Sequence, residues 1–508
     1  MVRRIGPARH RFLGVRLIAA GTALLVFAWP ALAPLSIGGG PRAVQTMSLT
    51  ATPYLPFDLP TGPSVKKVFA HYMPNFPISI DNKPPDIDYY ATQYLTRTGE
   101  RGAHWAYGGY LRDRPLPRDP IEDAAWKDRD LRTEIAQAKS VGIDGFAVDI
   151  IVARSPTPTN WSDVPTRLLA AAENADGFAI LPTADMSGPF RLFTASRLAA
   201  ELAPYLSSPA TFKLADGRPV LGAFYAESRS VSFWQQLLTV LRNDHGVDAA
   251  FVPTFLDAPR HLDAFAPVSY GFSNWGGRNP VAVATVPSGP GFPVDLARRS
   301  RALGKVWMQP VAFQDNRPDA GRFEESGNGQ TLRQAWQVAI QENAEWAQLI
   351  TWNDYSENTH IAPSVKSGWR ALDMNAYSIA LFKYAAPPAI VRDALFVSYR
   401  TQPFAARPTQ LQLRLMRPVP GTPAARDQVE FVSFATAPAT LRAVVGTVTY
   451  TCEVPAGIGV CNVPLQAGDI VAEMTRDDRL VARAQSTLAV TTRPSVQDLQ
   501  YAVAGGLR

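Results

Sequence analysis

Between residues 67 and 385, short continuous apolar runs alternate with stretches whose apolar residues recur every three or four positions. The runs fall at 68–73, 143–150, 179–186, 219–225, 249–255, 267–272, 305–313 and 349–352. Continuous runs suit strands buried on both faces, whereas 131–140, 191–206, 232–243 and 332–347 carry one apolar stripe and suit helices. This alternation predicts an α/β fold, a (β/α)8 TIM barrel over residues 67–386. An open doubly wound sheet is the competing arrangement. From 387 to 495 the pattern changes to short alternating strands at 411–416, 428–434, 443–452, 469–474 and 480–489, with Pro and Gly between them. That predicts a small all-β, sandwich-like domain followed by a tail at 496–508.

A barrel of this kind carries its chemistry at the C-terminal ends of its strands. Polar residues do cluster where these runs end. His71, Tyr72 and Asn75 follow the first run, Asp149 closes the second, and Asp185 the third. Tyr225 and Glu227 end the fourth, Asp257 the fifth, and Asn274 and Trp275 the sixth. Gln309 and Gln314 flank the end of the seventh, and Trp352, Asn353, Asp354 and Glu357 finish the eighth. The long segment 75–126 carries Tyr89, Tyr90, Tyr94, Trp105, Tyr107 and Tyr110, which suits either an ordered loop over the mouth that could stack sugar rings or a packed cover over barrel helices.

Composition changes one part of this picture. The formal charge of +6 invites a nucleic-acid reading, but Arg3, Arg4, Arg9, Arg11 and Arg16 stand in a segment, 1–33, that contains no acid. The remainder holds 45 basic against 44 acidic residues, so nucleic acid is not an expected partner. The Arg-rich start, the apolar stretch 17–29 and the small residues Ala31 and Ala33 predict export through a signal peptide. Pro34 disfavours cleavage there, so an uncleaved N-terminal membrane anchor is the alternative. Residues 34–66, rich in Pro and Gly, read as a linker. The two cysteines, Cys452 and Cys461, predict a local disulfide.

The eighth run carries the sharpest chemistry. Gln348-Leu349-Ile350-Thr351-Trp352-Asn353-Asp354-Tyr355-Ser356-Glu357 passes from apolar residues to two carboxylates three positions apart. An unpaired carboxylate is costly in an apolar setting, so the strand must end at the rim of a cavity. Glycoside hydrolysis needs one protonated acid and one ionised carboxylate, and neighbouring acids push each other's pKa values apart. Asp354 is read as the base and Glu357 as the acid, with the reverse order open. Asp149, Asp185 and Glu227 are expected to hydrogen-bond sugar hydroxyls or to tune the pair. His71, Tyr72, Tyr225, Trp275, Trp352 and Asn353 are expected to line the cleft. No HExxH, CxxC, phosphate-binding Gly-rich loop or G-x-S-x-G elbow is present, so metal, nucleotide and serine-hydrolase chemistry lack support.

The segments Val68-Phe69-Ala70-His71-Tyr72-Met73, Gly142-Ile143-Asp144-Gly145-Phe146-Ala147-Val148-Asp149 and Thr351-Trp352-Asn353-Asp354-Tyr355-Ser356-Glu357 resemble glycoside hydrolase family 71, the α-1,3-glucanases or mutanases. The last segment is also similar in layout to the strand-eight motif of the family 99 endo-α-mannosidases. The resemblance implies a barrel, an endo-acting and inverting mechanism, no metal or organic cofactor, and a catalytic pair at Asp354 and Glu357. It implies a polysaccharide substrate, an α-glucan first, with α-mannan or a bacterial exopolysaccharide as alternatives. A non-catalytic polysaccharide-binding protein is the reading from another class. Two departures bear on specificity: segment 75–126 is longer than in a fungal mutanase, and the second run ends Val148-Asp149 instead of Leu-Asn.

Overall fold

The computed structural model describes residues 48–508 apart from 156, 158–160 and 285–290. The expected signal or anchor at 1–33 lies outside the described residues. Eight parallel strands close a barrel: β1 (Lys67–Tyr72), β2 (Gly145–Ile150), β3 (Ala179–Asp185), β4 (Val220–Phe224), β5 (Ala250–Phe255), β6 (Gly271–Asn274), β7 (Val306–Val311) and β8 (Trp346–Leu349). Each is followed by a helix: α1 (Trp126–Lys139), α2 (Val164–Glu173), α3 (Ala195–Leu206), α4 (Val231–His245), α5 (Ala258–Phe265), α6 (Pro293–Ala302), α7 (Gln330–Gln341) and α8 (Arg370–Tyr384). This is the predicted TIM barrel, and the closed sheet excludes the doubly wound alternative. The helices start and stop for local reasons. At α4 the Ser230 hydroxyl accepts from Phe233 N at 3.2 Å, and Gly246 ends the helix in the left-handed region.

Strand alternation sorts each β residue to one of two environments. Phe69, Ala147, Leu181, Val220, Val252, Met308 and Trp346 fill the barrel's lower interior. Their neighbours Val68, Tyr72, Phe146, Val148 and Ile180 pack outward against the helices. Two positions after the inner apolar residues come His71, Asp149 and Thr183, so the upper interior turns polar. That polar layer is where the site lies.

Two strands depart from expectation. β6 begins at Gly271 because Pro267 sits in a 3-10 turn at Ala266–Val268. β8 begins at Trp346, because α7 stops at Gln341 and Asn343 turns left-handed at φ 51°. Ala344, Trp346 and Ala347 continue the helical spacing in sequence, which hides that turn.

Beyond α8 lie two four-stranded antiparallel sheets. The strands are β9 (Ala394–Arg400), β10 (Gln428–Ala435), β11 (Ala439–Val445), β12 (Val448–Val454), β13 (Gly457–Pro464), β14 (Ile470–Arg476), β15 (Arg479–Gln485) and β16 (Tyr501–Gly505). One sheet runs β13-β10-β9-β16 and the other β12-β11-β14-β15. Leu395, Val397 and Tyr399 face the second sheet, while Phe396, Val432 and Phe434 join the core formed by the barrel strands and helices. A sheet covered on both faces explains why all of β9 is buried. The run read as one strand at 443–452 is the hairpin β11–β12, turned at Gly446 with φ 59°. Residues 411–416 form no strand. The disulfide Cys452–Cys461 joins β12 to β13 and so links the two sheets.

In two stretches that composition marks as connectors, described residues form packed structure. Within the expected linker, Leu55 and Phe57 are fully buried and the Pro56 carbonyl accepts from Val391 N at 2.9 Å. Within the expected tail, β16 pairs with β9 from Tyr501↔Arg400 to Gly505↔Phe396. Apolar residues spaced too sparsely to signal a core still fill one when a neighbouring surface is waiting. Among the described residues no helix is long and apolar enough to cross a membrane.

Candidate active site

β8 runs into a compact loop closed on itself by Thr351 and Thr359, with Thr351 N to Thr359 O at 3.0 Å and their hydroxyls 2.9 Å apart. Asn353 ties this loop to the end of β1. Its Oδ1 accepts from Met73 N at 2.7 Å, and its Nδ2 donates to Met73 O and Phe76 O at 3.0 and 2.9 Å. Trp352 N donates to His71 O at 2.7 Å, extending the pairing of β8 with β1.

Asp354 and Glu357 sit on one turn of this loop. Asp354 Oδ1 accepts from Ser356 N at 2.9 Å, Ser356 Oγ at 2.6 Å and Glu357 N at 3.0 Å. Burial pushes its pKa above the usual carboxylate range, and these donors oppose the rise. Glu357 is pushed further up by burial and then by the charge of Asp354. Its Oε1 pairs with Arg317, whereas its Oε2 is buried without a hydrogen-bond partner. Two neighbouring acids with separated proton affinities are what acid/base chemistry on a glycosidic bond requires.

Other acids face the same space. Burial and the charges of Asp185 and Asp354 push Asp149 well up, and Asp149 Oδ1 is buried without a hydrogen-bond partner. Asp185 is raised by burial while its Oδ1 accepts from Ser187 N at 2.7 Å. His71 Nε2 lies 3.8 Å from Asp149 Oδ1. Burial and Arg278 push the imidazole down to about 3, so His71 is neutral and this contact is not an ion pair. His71 Nδ1 meets Gln348 Nε2 at 2.9 Å, and its ring meets the Trp275 edge with centroids 4.8 Å apart. Trp275 also packs on Phe224 at 4.6 Å.

A short hairpin, Asp315–Arg317 with Arg322–Glu324, brings further charge to this space. Asp315 is fully buried and takes the Arg317 fork on both oxygens, Nε to Oδ1 at 2.8 Å and Nη2 to Oδ2 at 2.6 Å. Arg278 Nε lies 3.7 Å from Asp315 Oδ2. From the long loop, Tyr110 has its pKa raised by burial and by the charge of Asp354. Among the described residues no group of three or more His, Cys, Asp or Glu is placed to hold a metal ion.

The structure thus brings together Asp354, Glu357, Asp149, Asp185, His71 and Trp275 of the predicted set. It turns two others outward and ties up the side chain of a third. Tyr72 and Trp352 point outward and pack on Phe146 at 5.1 and 5.0 Å, and Trp352 Nε1 donates to Glu134 Oε2 at 3.2 Å. Asn353 spends its whole amide on the β1 end. Alternation explains Tyr72, which must face away if His71 faces in. Glu227 Oε1 accepts from Leu256 N and Asp257 N at 2.7 and 2.8 Å, bracing the loop after β5, and only its Oε2 is unpartnered. Tyr225 is half-buried at φ 54°.

Sequence reasoning missed Arg278, Arg317, Asp315 and Gln348. Gln348 had a signal, a polar residue inside a buried run. The charges of the hairpin carry no motif that separates them from an ordinary solvated turn. The long loop folds as expected for an ordered element: Phe76, Ile80, Tyr90, Tyr94 and Leu111 form a cluster around Tyr355.

A family model described as Glycosyl hydrolase family 71 matches residues 121–503. A mutanase of Penicillium rubens is 25% identical over 386 residues, covering 71% of this chain and 81% of that protein. The ascus wall endo-1,3-α-glucanase of Schizosaccharomyces pombe is 24% identical over 371 residues, covering 66% and 81%. A solved GH99 endo-α-mannosidase of Bacteroides thetaiotaomicron aligns with a TM-score of 0.47 at 14% identity, covering 63% of this chain and 98% of that one.

Proposed function

Since the chain belongs to glycosyl hydrolase family 71 and is therefore a glycoside hydrolase, we propose that it cleaves α-1,3-linked glucan internally, with Asp354 as base and Glu357 as acid. The linkage is carried by the two relatives, whose names state mutanase and endo-1,3-α-glucanase activity. The roles rest on one observation: Asp354 Oδ1 collects three hydrogen-bond donors, while Glu357 keeps one buried oxygen without a partner. Donors stabilise the ionised form of Asp354, and burial beside it favours the protonated form of Glu357.

In the reaction, Asp354 takes a proton from water as that oxygen bonds to the anomeric carbon. The carbon–oxygen bond to the leaving sugar breaks, and Glu357 delivers its proton to the departing oxygen. Solvent then carries the proton from Asp354 back to Glu357. One displacement by water inverts the anomeric centre. Asp149, Asp185 and His71 hold sugar hydroxyls, and Trp275 offers a ring face to a sugar. We place the enzyme outside the cytoplasm, on the export-type pattern of residues 1–33.

The test is product release from insoluble α-1,3-glucan, with α-1,4-glucan, α-mannan and a bacterial exopolysaccharide alongside, and NMR of the first-formed anomer. Oligosaccharides of inverted configuration from α-1,3-glucan are expected. Products from another polymer alone would replace the substrate, and a retained anomer would overturn the mechanism. Asp354→Asn and Glu357→Gln should each lower kcat by about 10²–10⁴-fold.

A further inference from the structure

The catalytic pair leaves the buried charges of the Asp315–Glu324 hairpin unexplained. Asp315 is fully buried and sits between two guanidinium groups, Arg317 at 2.6 and 2.8 Å and Arg278 at 3.7 Å. The two-pronged contact uses Nε and Nη2 of Arg317, which fixes the plane of the guanidinium. Only Nη1 is left, and it pairs with Glu357 Oε1. The same hairpin grips the Glu357 backbone: Asn316 N donates to Glu357 O at 2.8 Å, and Asn358 Nδ2 donates to Asn316 O at 2.6 Å. Side chain and main chain of Glu357 are therefore both held from one element.

We propose that Arg317 is a positioning residue of the reaction, which fixes the Glu357 carboxyl group through Oε1 and so confines the transferable proton to Oε2. The proposal rests on Glu357 as the acid. A guanidinium donating to Oε1 disfavours a proton on that oxygen, and Oε2 is the oxygen without a partner. The charged groups facing Glu357 are Asp354 on its own loop, Arg317 and Asp315 on the hairpin, and Arg278 after β6. Of these, Arg317 alone is in direct ionic contact with it. Removing that cation lets Glu357 hold its proton more tightly, so the alkaline limb of the pH profile, where the acid is lost, must move up.

The test uses Arg317→Gln and Arg317→Lys, with kcat, KM and full pH profiles on the polymer that the wild type cleaves. Arg317→Gln should lower kcat about tenfold to a hundredfold, part of what a positioned general acid supplies. KM should stay within about twofold, and the alkaline limb should rise by about one pH unit. Arg317→Lys should keep the limb near its wild-type position yet still lower kcat, because a point charge cannot reproduce the fork. A purely structural role would not move the limb. An unmoved limb or an unchanged kcat in Arg317→Gln overturns the proposal; if that variant fails to fold, an unchanged kcat in Arg317→Lys does so alone. Glu357→Gln distinguishes the two levels. If it retains turnover, the acid assignment itself fails. If it is inactive while both Arg317 variants behave as wild type, only the role of Arg317 fails.

Discussion

Glu134 offers a perturbation whose size follows from its surroundings. It is a buried acid on α1, behind the loop that bears Asp354 and Glu357. Its Oε1 accepts from Ile78 N at 3.0 Å and its Oε2 from Trp352 Nε1 at 3.2 Å, with the Tyr72 hydroxyl beside it. Burial nevertheless pushes its pKa from 4.5 to about 8. An acid raised on folding holds its proton more tightly in the native state, so stability is full below the unfolded value and falls as pH climbs toward the folded one. At about 1.4 kcal/mol per pH unit, the interval is worth about 4–5 kcal/mol in all. Glu134→Gln removes that slope. It also leaves one carbonyl oxygen to serve two donors, which costs about 1–3 kcal/mol at every pH. The variant should therefore be less stable than wild type at pH 5 and more stable at pH 8, with curves crossing between about pH 5 and 7. Urea unfolding followed by tryptophan fluorescence at each pH measures both curves, and their difference cancels the other titrating groups. A difference that stays flat from pH 4.5 to 8 would refute the reasoning.

Three further outcomes are expected. Tyr72→Phe should leave kcat/KM within about twofold and stability unchanged or slightly higher, because the hydroxyl is buried with no hydrogen-bond partner of good geometry; a large loss of activity would restore Tyr72 to the cleft. Asn353→Ala should lower stability by about 2–4 kcal/mol in denaturant titrations, since it orphans one donor and two acceptors at the β1 end. Replacing Cys452 and Cys461 together with Ser should cost about 2–3 kcal/mol of loop-closure stabilisation. It should leave kcat unchanged, because the bridge lies between the sheets and not at the barrel mouth.

The barrel was legible because each strand had to be apolar throughout and each helix only on one side. The carboxylates of strand eight were legible because buried apolar residues give way there to Asp354 and Glu357. Facing was harder to read. Tyr72 and His71 are neighbours with equal claims as polar residues, and only the pleat decides that one enters the barrel and the other leaves it. Trp352 and Asn353 are residue types that suit sugar contacts, yet the Trp352 Nε1 and the Asn353 amide are occupied by partners on α1 and at the end of β1. The ion chain through Arg317 was invisible, since it joins β6, the hairpin and β8 through separations no local pattern records. Leu55, Phe57 and β16 escaped for the same reason: their partners are long-range.

The grip of β16 on the barrel bears on how the enzyme is made. Tyr501 N donates to Gln314 Oε1 at 2.8 Å, and Gln314 Nε2 donates to Tyr501 O at 3.3 Å, across 187 positions of chain. Gln314 in turn braces Asn316, whose backbone holds Glu357. A ribosome finishes all eight barrel strands well before it reaches Tyr501, so the nascent barrel waits with Gln314 lacking its Tyr501 partner. Turnover should therefore be lower until those late residues have emerged, and full cleavage by chains stalled before residue 501 would contradict this coupling. A chain broken off midway would then release a barrel that lacks this brace.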